Sequence, residues 1–237
     1  MKKKSEQTYI EDLIRNTKDS IHFFSNASKT LRERSVCAAF LRCIGIEFIL
    51  GEVVSNNDDP PDVVFRTARF EVMELYDKRR KRLDEYWQRL ENLEKASSIQ
   101  QTLVTICQHE PVSYTELLNE IISALNEKSS KYGKRLCSSL DALVYVGLTN
   151  RFLEISSSLP MNKELPSQGW RSVSFVFPPY SQVVFCGRNT PQFLTLYTGQ
   201  TRMEWKKSDG LFDLELTGCM TPGYTRTRGK ISRAPVV

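Results

Sequence analysis

Apolar residues at Ile10, Leu13, Ile14, Ile21 and Phe24, with Thr17 between them, recur at helical spacing and predict an amphipathic helix over residues 9–24. Thr8 with Glu11 reads as a capping box at its start. A polar break at residues 25–29 leads to a second helix, about Thr30 to Ile44, with Val36, Cys37, Phe40, Leu41 and Ile44 on one face and Gly45 as a left-handed stop. The period then shortens. Residues 46–54 read as a strand and 55–59 as a loop. Val63–Phe65 and Phe70–Leu75 read as two strands joined by residues 66–69. Asp77 is placed to cap a long helix reaching about Ala96, with Leu83, Tyr86, Trp87, Leu90 and Leu93 inward.

Residues 99–107 fit helix and strand equally. Ser113 with Glu116 makes a second capping box, before a helix bearing Leu117, Ile121, Ile122, Leu125 and Tyr132. Leu140–Leu148 is almost continuously apolar, as a strand buried on both faces requires. Residues 170–177 and 181–186 flank Pro178-Pro179-Tyr180 as a hairpin, followed by a short helix near 191–197 and a strand near 202–205. This order implies an α/β domain with a central mixed sheet flanked by helices. The expected organisation is an N-terminal amphipathic helix packing on the core (1–27), the α/β domain (28–206) and a basic, disordered tail (207–237).

Composition changes this picture only through where charge and sulfur lie. The net charge is +5, but Lys2, Lys3 and Lys4, with Arg226, Arg228, Lys230 and Arg233, supply seven positive charges; setting them aside leaves residues 5–217 at −2. A nucleic-acid site, if there is one, is therefore a local patch and not a property of the whole surface. Six scattered cysteines without a CxxC pair, and only two histidines, argue against a zinc site and against Ser-His-Asp chemistry. With no long apolar core after MKKKSEQ and no window long enough to span a bilayer, the expectation is a cytoplasmic protein without membrane association.

The stretch that can carry chemistry is PPDVVFRTARFEVMELYDKRRKR, residues 60–82. Asp62 precedes one short strand and Glu71 stands in the next, with eight residues between them, so a hairpin brings the two carboxylates together. Oxygen ligands with net negative charge suit a hard divalent cation, which phosphodiester hydrolysis requires, and the backbone carbonyl of Val72 can add a ligand. Alternation puts Glu71 and Met73 on one strand face. Glu33 projects from the apolar face of the second helix. Lys78, Arg79, Arg80 and Arg82 follow the carboxylates as candidate phosphate contacts, which position a backbone without reading sequence. Taken alone, Asp62 and Glu71 also fit a turn residue and a sheet-edge ion pair.

On these residues the sequence resembles the PD-(D/E)xK nuclease superfamily of restriction-endonuclease-like fold. More narrowly it resembles an uncharacterised bacterial family grouped with endonucleases of that type, over about residues 20–205. Pro61-Asp62 corresponds to the PD element, Glu71-Val72-Met73 to (D/E)xK, and Glu33 to an acidic residue that many members carry on the preceding helix. The resemblance implies Mg2+- or Mn2+-dependent cleavage of nucleic acid, DNA first, with Asp62, Glu71 and the Val72 carbonyl on the metal. It implies Glu33 as an accessory acid and a cation from Lys78, Arg79 or Arg80 in place of the motif lysine. Lys128 and Lys131 are further sources of that charge. Action as a homodimer or with a protein partner is compatible with the resemblance. The departure is Met73, which cannot carry charge. It leaves open an inactive relative that binds nucleic acid or another protein.

Overall fold

The computed structural model describes residues 5–77, 81–103, 110–148, 151–154 and 165–203. In chain order the elements are α1 (Glu6–Phe24), α2 (Lys29–Cys43), β1 (Val54–Ser55), β2 (Val63–Phe65), β3 (Ala68–Leu75), α3 (Arg82–Lys95), β4 (Glu110–Ser113), α4 (Tyr114–Tyr132), α5 (Lys134–Cys137), β5 (Asp141–Val146), β6 (Arg151–Glu154), β7 (Ser172–Phe177), β8 (Tyr180–Cys186), α6 (Gln192–Thr195) and β9 (Thr201–Met203). Seven strands form a mixed sheet in the order β1-β2-β3-β5-β7-β8-β9, and β4 and β6 pair separately. The centre of the large sheet is parallel, β3 to β5 and β5 to β7, while the pairs outside it are antiparallel.

All six residues of β5 are buried because helices cover both sides of it. Leu143 and Tyr145 meet α2 through Val36, Phe40, Leu41 and Ile44, in a core that also holds Phe70 and Val72 of β3. Ala142, Val144 and Val146 meet Leu117, Leu118, Ile121 and Leu125 of α4, together with Met73. Each large apolar side chain fully buried this way contributes about 1.5–3 kcal/mol. The two layers clamp β3, which sits between β2 and β5. A third, smaller cluster joins α1 to α3 through Ile21, Tyr86 and Leu90.

The predicted central sheet, the α4 capping box and the Pro178-Pro179 hairpin are all present. Ser113 Oγ accepts from the N–H of Glu116, and Glu116 accepts from the N–H of Ser113. Gly45 stands at φ 82° where α2 stops. Its N–H donates to Arg42 O, and the next N–H, of Ile46, donates to Leu41 O, so the last carbonyls are satisfied.

Several expectations need correcting. The cap of α1 is Ser5, whose Oγ accepts from Thr8 N–H, so the helix starts earlier than Thr8 and Glu11 suggested. Residues 46–54 form no long strand. Glu52 accepts from the N–H of Ile49 and closes a 3-10 turn over Leu50–Glu52, and strand structure begins only at Val54. β3 starts at Ala68, two residues before the expected start, and leaves Arg66 and Thr67 as the hairpin turn. On α3, Tyr86 is buried but Trp87 is 54% exposed, because the inward stripe runs through Tyr86, Leu90 and Leu93. The parallel pair β4–β6 was not anticipated. α3 starts at Arg82 with Lys81 in the N-cap position, so Asp77 is not its cap, and the basic tail 207–237 lies outside the described residues.

Candidate metal centre

Asp62 and Glu71 meet because the β2–β3 ladder ends between them. Its last pair is Val63 with Phe70, so the next outward-facing amide on β3, that of Val72, has no partner strand there. Asp62 Oδ2 accepts that N–H at 2.9 Å, which fixes the carboxylate beside the strand. Glu71 is wholly buried on the α4 face of β3. A carboxylate oxygen from each of Asp59, Asp62 and Glu71 lies within 4.8 Å of the other two. Asp62 is buried and Asp59 exposed, so the cluster runs from the core to the surface. It offers only carboxylate oxygens, the donors that hard cations such as Mg2+ prefer.

Cations border this cluster from two helices. From α4, Lys128 Nζ lies 2.6 Å from Glu71 Oε1, and the Tyr132 hydroxyl donates to the same oxygen at 2.9 Å. From α2, Lys29 Nζ lies 3.2 Å from Glu33 Oε1 and 3.7 Å from Asp62 Oδ1. Glu33 is buried, as its place on the apolar face of α2 predicted, and its carboxyl adjoins that of Asp62. Alongside lies an open cleft of about 420 Å³, lined by Lys29, Glu33, Val72, Glu74, Lys128 and Lys131 among others.

The charges of the site depend on one another. Burial and the adjacent Asp62 charge push Glu33 up to about 7, against the pull of Lys29. Burial also raises Glu71; the Lys128 hydrogen bond pulls it down, and the charge of Asp62 raises it further. For Lys128, burial acts to lower the pKa, but the hydrogen bond and charge of Glu71 win and hold it above its ordinary value. Three or four carboxyls therefore share a small volume with two ammonium groups, an arrangement that gains from an added divalent cation.

A second buried carboxylate, one register step away, shows the contrast. Asp141 is also fully buried, yet it accepts from Arg69 N–H at 2.9 Å, from Ser172 Oγ at 2.7 Å and from the Arg171 guanidinium at both oxygens. That is a closed structural ion pair. Glu71 differs, because its Oε2 is buried and has no hydrogen-bond partner. A buried carboxylate oxygen without a partner is costly, and Glu71 belongs to the acidic cluster found among the described residues.

Of the residues expected at the site, Asp62, Glu71 and Glu33 converge, and Val72 contributes its N–H to Asp62. Lys78, Arg79 and Arg80 lie outside the described residues. Arg82 does not line the cleft; its guanidinium sits 4.4 Å from the ring centres of both Phe24 and Tyr76. Met73 is buried in the α4 core. Asp59, Lys29 and Tyr132 were missed. Asp59 read as part of a polar loop and Lys29 as part of a helix break, and only Lys128 and Tyr132 at i, i+4 spacing carried a hint.

The family described as "Putative endonuclease, protein of unknown function (DUF1780)" matches residues 5–207. The chain belongs to that family. Among solved structures, DUF1780 membership is joined by similarity to a protein of unknown function from Pseudomonas aeruginosa strain PAO1, described as of the monooxygenase superfamily. The two are 26% identical with a TM-score of 0.61, over 86% of this chain and 98% of that one. No curated protein matches the chain. No helix among the described residues is long and apolar enough to cross a membrane.

Proposed function

We propose that this DUF1780 protein is a divalent-cation-dependent nuclease of the PD-(D/E)xK type that hydrolyses phosphodiester bonds, in DNA first. The observation that carries the reading is the cluster of Asp59, Asp62 and Glu71, with one carboxylate oxygen from each within 4.8 Å of the others, in which Glu71 also keeps a buried Oε2 without a hydrogen-bond partner. The superfamily placement is supported by the setting: a hairpin bearing both acids, next to parallel strands, with a helix on each face.

Asp62 and Glu71, with Asp59 at the mouth, would hold Mg2+ or Mn2+, and the Val72 carbonyl is a candidate further ligand. When bound, such an ion acts as a Lewis acid on a phosphoryl oxygen and makes water more nucleophilic at neutral pH. The Val72 N–H keeps Asp62 oriented, and Glu33 is close enough to Asp62 to act as an accessory acid. Lys29, 60% exposed at the edge of the cluster, is placed to meet a phosphate from the solvent side. In the reaction the water oxygen bonds to phosphorus while the bond from phosphorus to the leaving sugar oxygen breaks. One proton leaves the water to solvent through the open cleft, and one returns to the leaving oxygen.

Cleavage of plasmid and single-stranded DNA with Mg2+ or Mn2+, by wild type and Asp62→Ala, tests this. Metal-dependent cleavage by the wild type alone is expected. Equal activity in both, or none with either ion, would overturn it. Met73, buried where the motif has lysine, favours the second reading, a non-catalytic relative. That reading predicts retention on DNA that weakens steeply with salt, without cleavage and without calorimetric uptake of the ions.

A further inference from the structure

β3 turns Glu71 and Met73 toward α4, and α4 answers each of them differently. Met73 is 8% exposed and packs with Leu117, Ile121, Leu125 and Val144. Its side chain is part of the hydrophobic layer and offers nothing to a phosphate. Glu71, two residues earlier on the same face, is met by two polar groups of α4. Lys128 and Tyr132 lie one helical turn apart on α4, so both side chains point to the same spot, and both reach Glu71 Oε1.

Lys128 is not a sealed structural partner. Its side chain is 31% exposed, against 1% for Glu71, and it lines the cleft together with Lys29 and Glu33. An ammonium has three N–H groups; Glu71 takes one direction, and the cleft lies on the open side. Tyr132 also lies under the ammonium, with Nζ 5.2 Å from its ring centre. The carboxylate and the ring hold the ammonium at the border between the acidic cluster and the cleft, where a phosphate bound to that cluster would lie.

We infer that Lys128 is the catalytic cation of this site, carried by α4 in place of a strand lysine, and that Tyr132 positions it together with Glu71. The inference rests on the nuclease reading. In it, Lys128 donates to a non-bridging phosphate oxygen and stabilises the charge that grows there as the water oxygen bonds to phosphorus. Tyr132 acts through Glu71 and Lys128 and does not touch the substrate.

The test is a residue exchange read in two ways: turnover on whichever DNA the wild type cuts, and Mn2+ affinity by calorimetry. Lys128→Met is expected to lower kcat about 100- to 1,000-fold, the usual loss on removing one donor to transition-state charge. Its Mn2+ affinity should be equal or tighter, since the competing ammonium is gone. Adding Met73→Lys to Lys128→Met should restore at least about tenfold of kcat by returning the charge to the strand. A residue that merely neutralised Glu71 would not be rescued in that way. Lys128→Arg, which keeps the ion pair and the fold, should bind Mn2+ like the wild type and turn over more slowly. Unchanged kcat in Lys128→Met or in Lys128→Arg, with metal-dependent cleavage by the wild type intact, overturns the Lys128 assignment alone. A wild type that neither binds Mn2+ nor cuts overturns the nuclease reading and this inference with it.

Discussion

Asp62 accepts a hydrogen bond from the backbone N–H of Val72 at 2.9 Å, just past the last paired residues of the β2–β3 hairpin. One acid of the cluster is thereby tied to the strand that carries the other, and the separation of the two is set by sheet geometry, not by side-chain chance.

Asp62→Asn keeps an oxygen that can accept the Val72 N–H but removes one charge from a crowded group. The metal-free protein should melt higher, by about 2–4 °C for each kcal/mol of relieved repulsion, while Mn2+ affinity drops at least tenfold. Scanning calorimetry and titration calorimetry measure the two effects. A lower melting temperature together with unchanged Mn2+ binding would mean that the carboxylate is structural.

Stability without metal should fall as pH rises through neutrality. The folded pKa of Glu33, about 7, lies above its ordinary value because of burial and the Asp62 charge, so the folded state holds a proton that the unfolded chain has already released. The stabilisation is present at and below the ordinary carboxylate value and is lost as pH climbs through about 7. Glu71, raised chiefly by burial, acts in the same direction. Denaturant midpoints between about pH 5 and 8 should decline in the wild type and decline less in Glu33→Gln. Parallel curves for the two proteins would remove Glu33 as the cause.

Divalent ions should reverse that trend. An ion at one hundred times its dissociation constant adds about 2.7 kcal/mol, and its binding should strengthen with pH as Glu33 and Glu71 give up their protons. Melting curves with Mn2+ and with EDTA at about pH 6 and 8 should therefore diverge more at the higher pH. The opposite order would count against these carboxylates as ligands.

The phase of α3 is open to a direct check. Tyr86 is buried and stacks on Phe24 with ring centres 5.5 Å apart, whereas Trp87 is 54% exposed. Tyr86→Ala should cost about 3 kcal/mol and Trp87→Ser less than about 0.5 kcal/mol, measured by urea unfolding. Equal losses would place both rings in the interior.

The centre of the sheet was legible because a short, almost continuously apolar run such as Leu140–Leu148 suits a strand buried on both faces, as β5 is. The hairpin acids were legible for a similar reason, since eight intervening residues and a two-sided alternation leave few alternatives. Residues 46–54 misled because Ile49, Leu50 and Val54 are apolar yet exposed, and a single Glu52 hydrogen bond decides for a turn. Trp87 misled because the buried stripe of α3 is narrow, through Tyr86, Leu90 and Leu93, and hydrophobicity alone does not say which of two adjacent aromatics lies on it. Lys128 was visible as one of several candidates. Its selection depends on how α4 crosses β3, a tertiary fact that no local pattern encodes.

Met73 was first notable for the charge it lacks. Its position in the layer between β3 and α4 gives it a mechanical meaning, because the two halves of the site ride on different bodies. The acids stand on the sheet and its loop, and Lys128 stands on the helix, so the apolar side chains between them act as a shim that sets how far apart opposite charges are held. A bulkier or smaller residue at Met73, Ile121 or Leu125 changes that thickness and retunes the site without touching any polar atom in it. In this protein the hydrophobic core is also the ruler of the electrostatics.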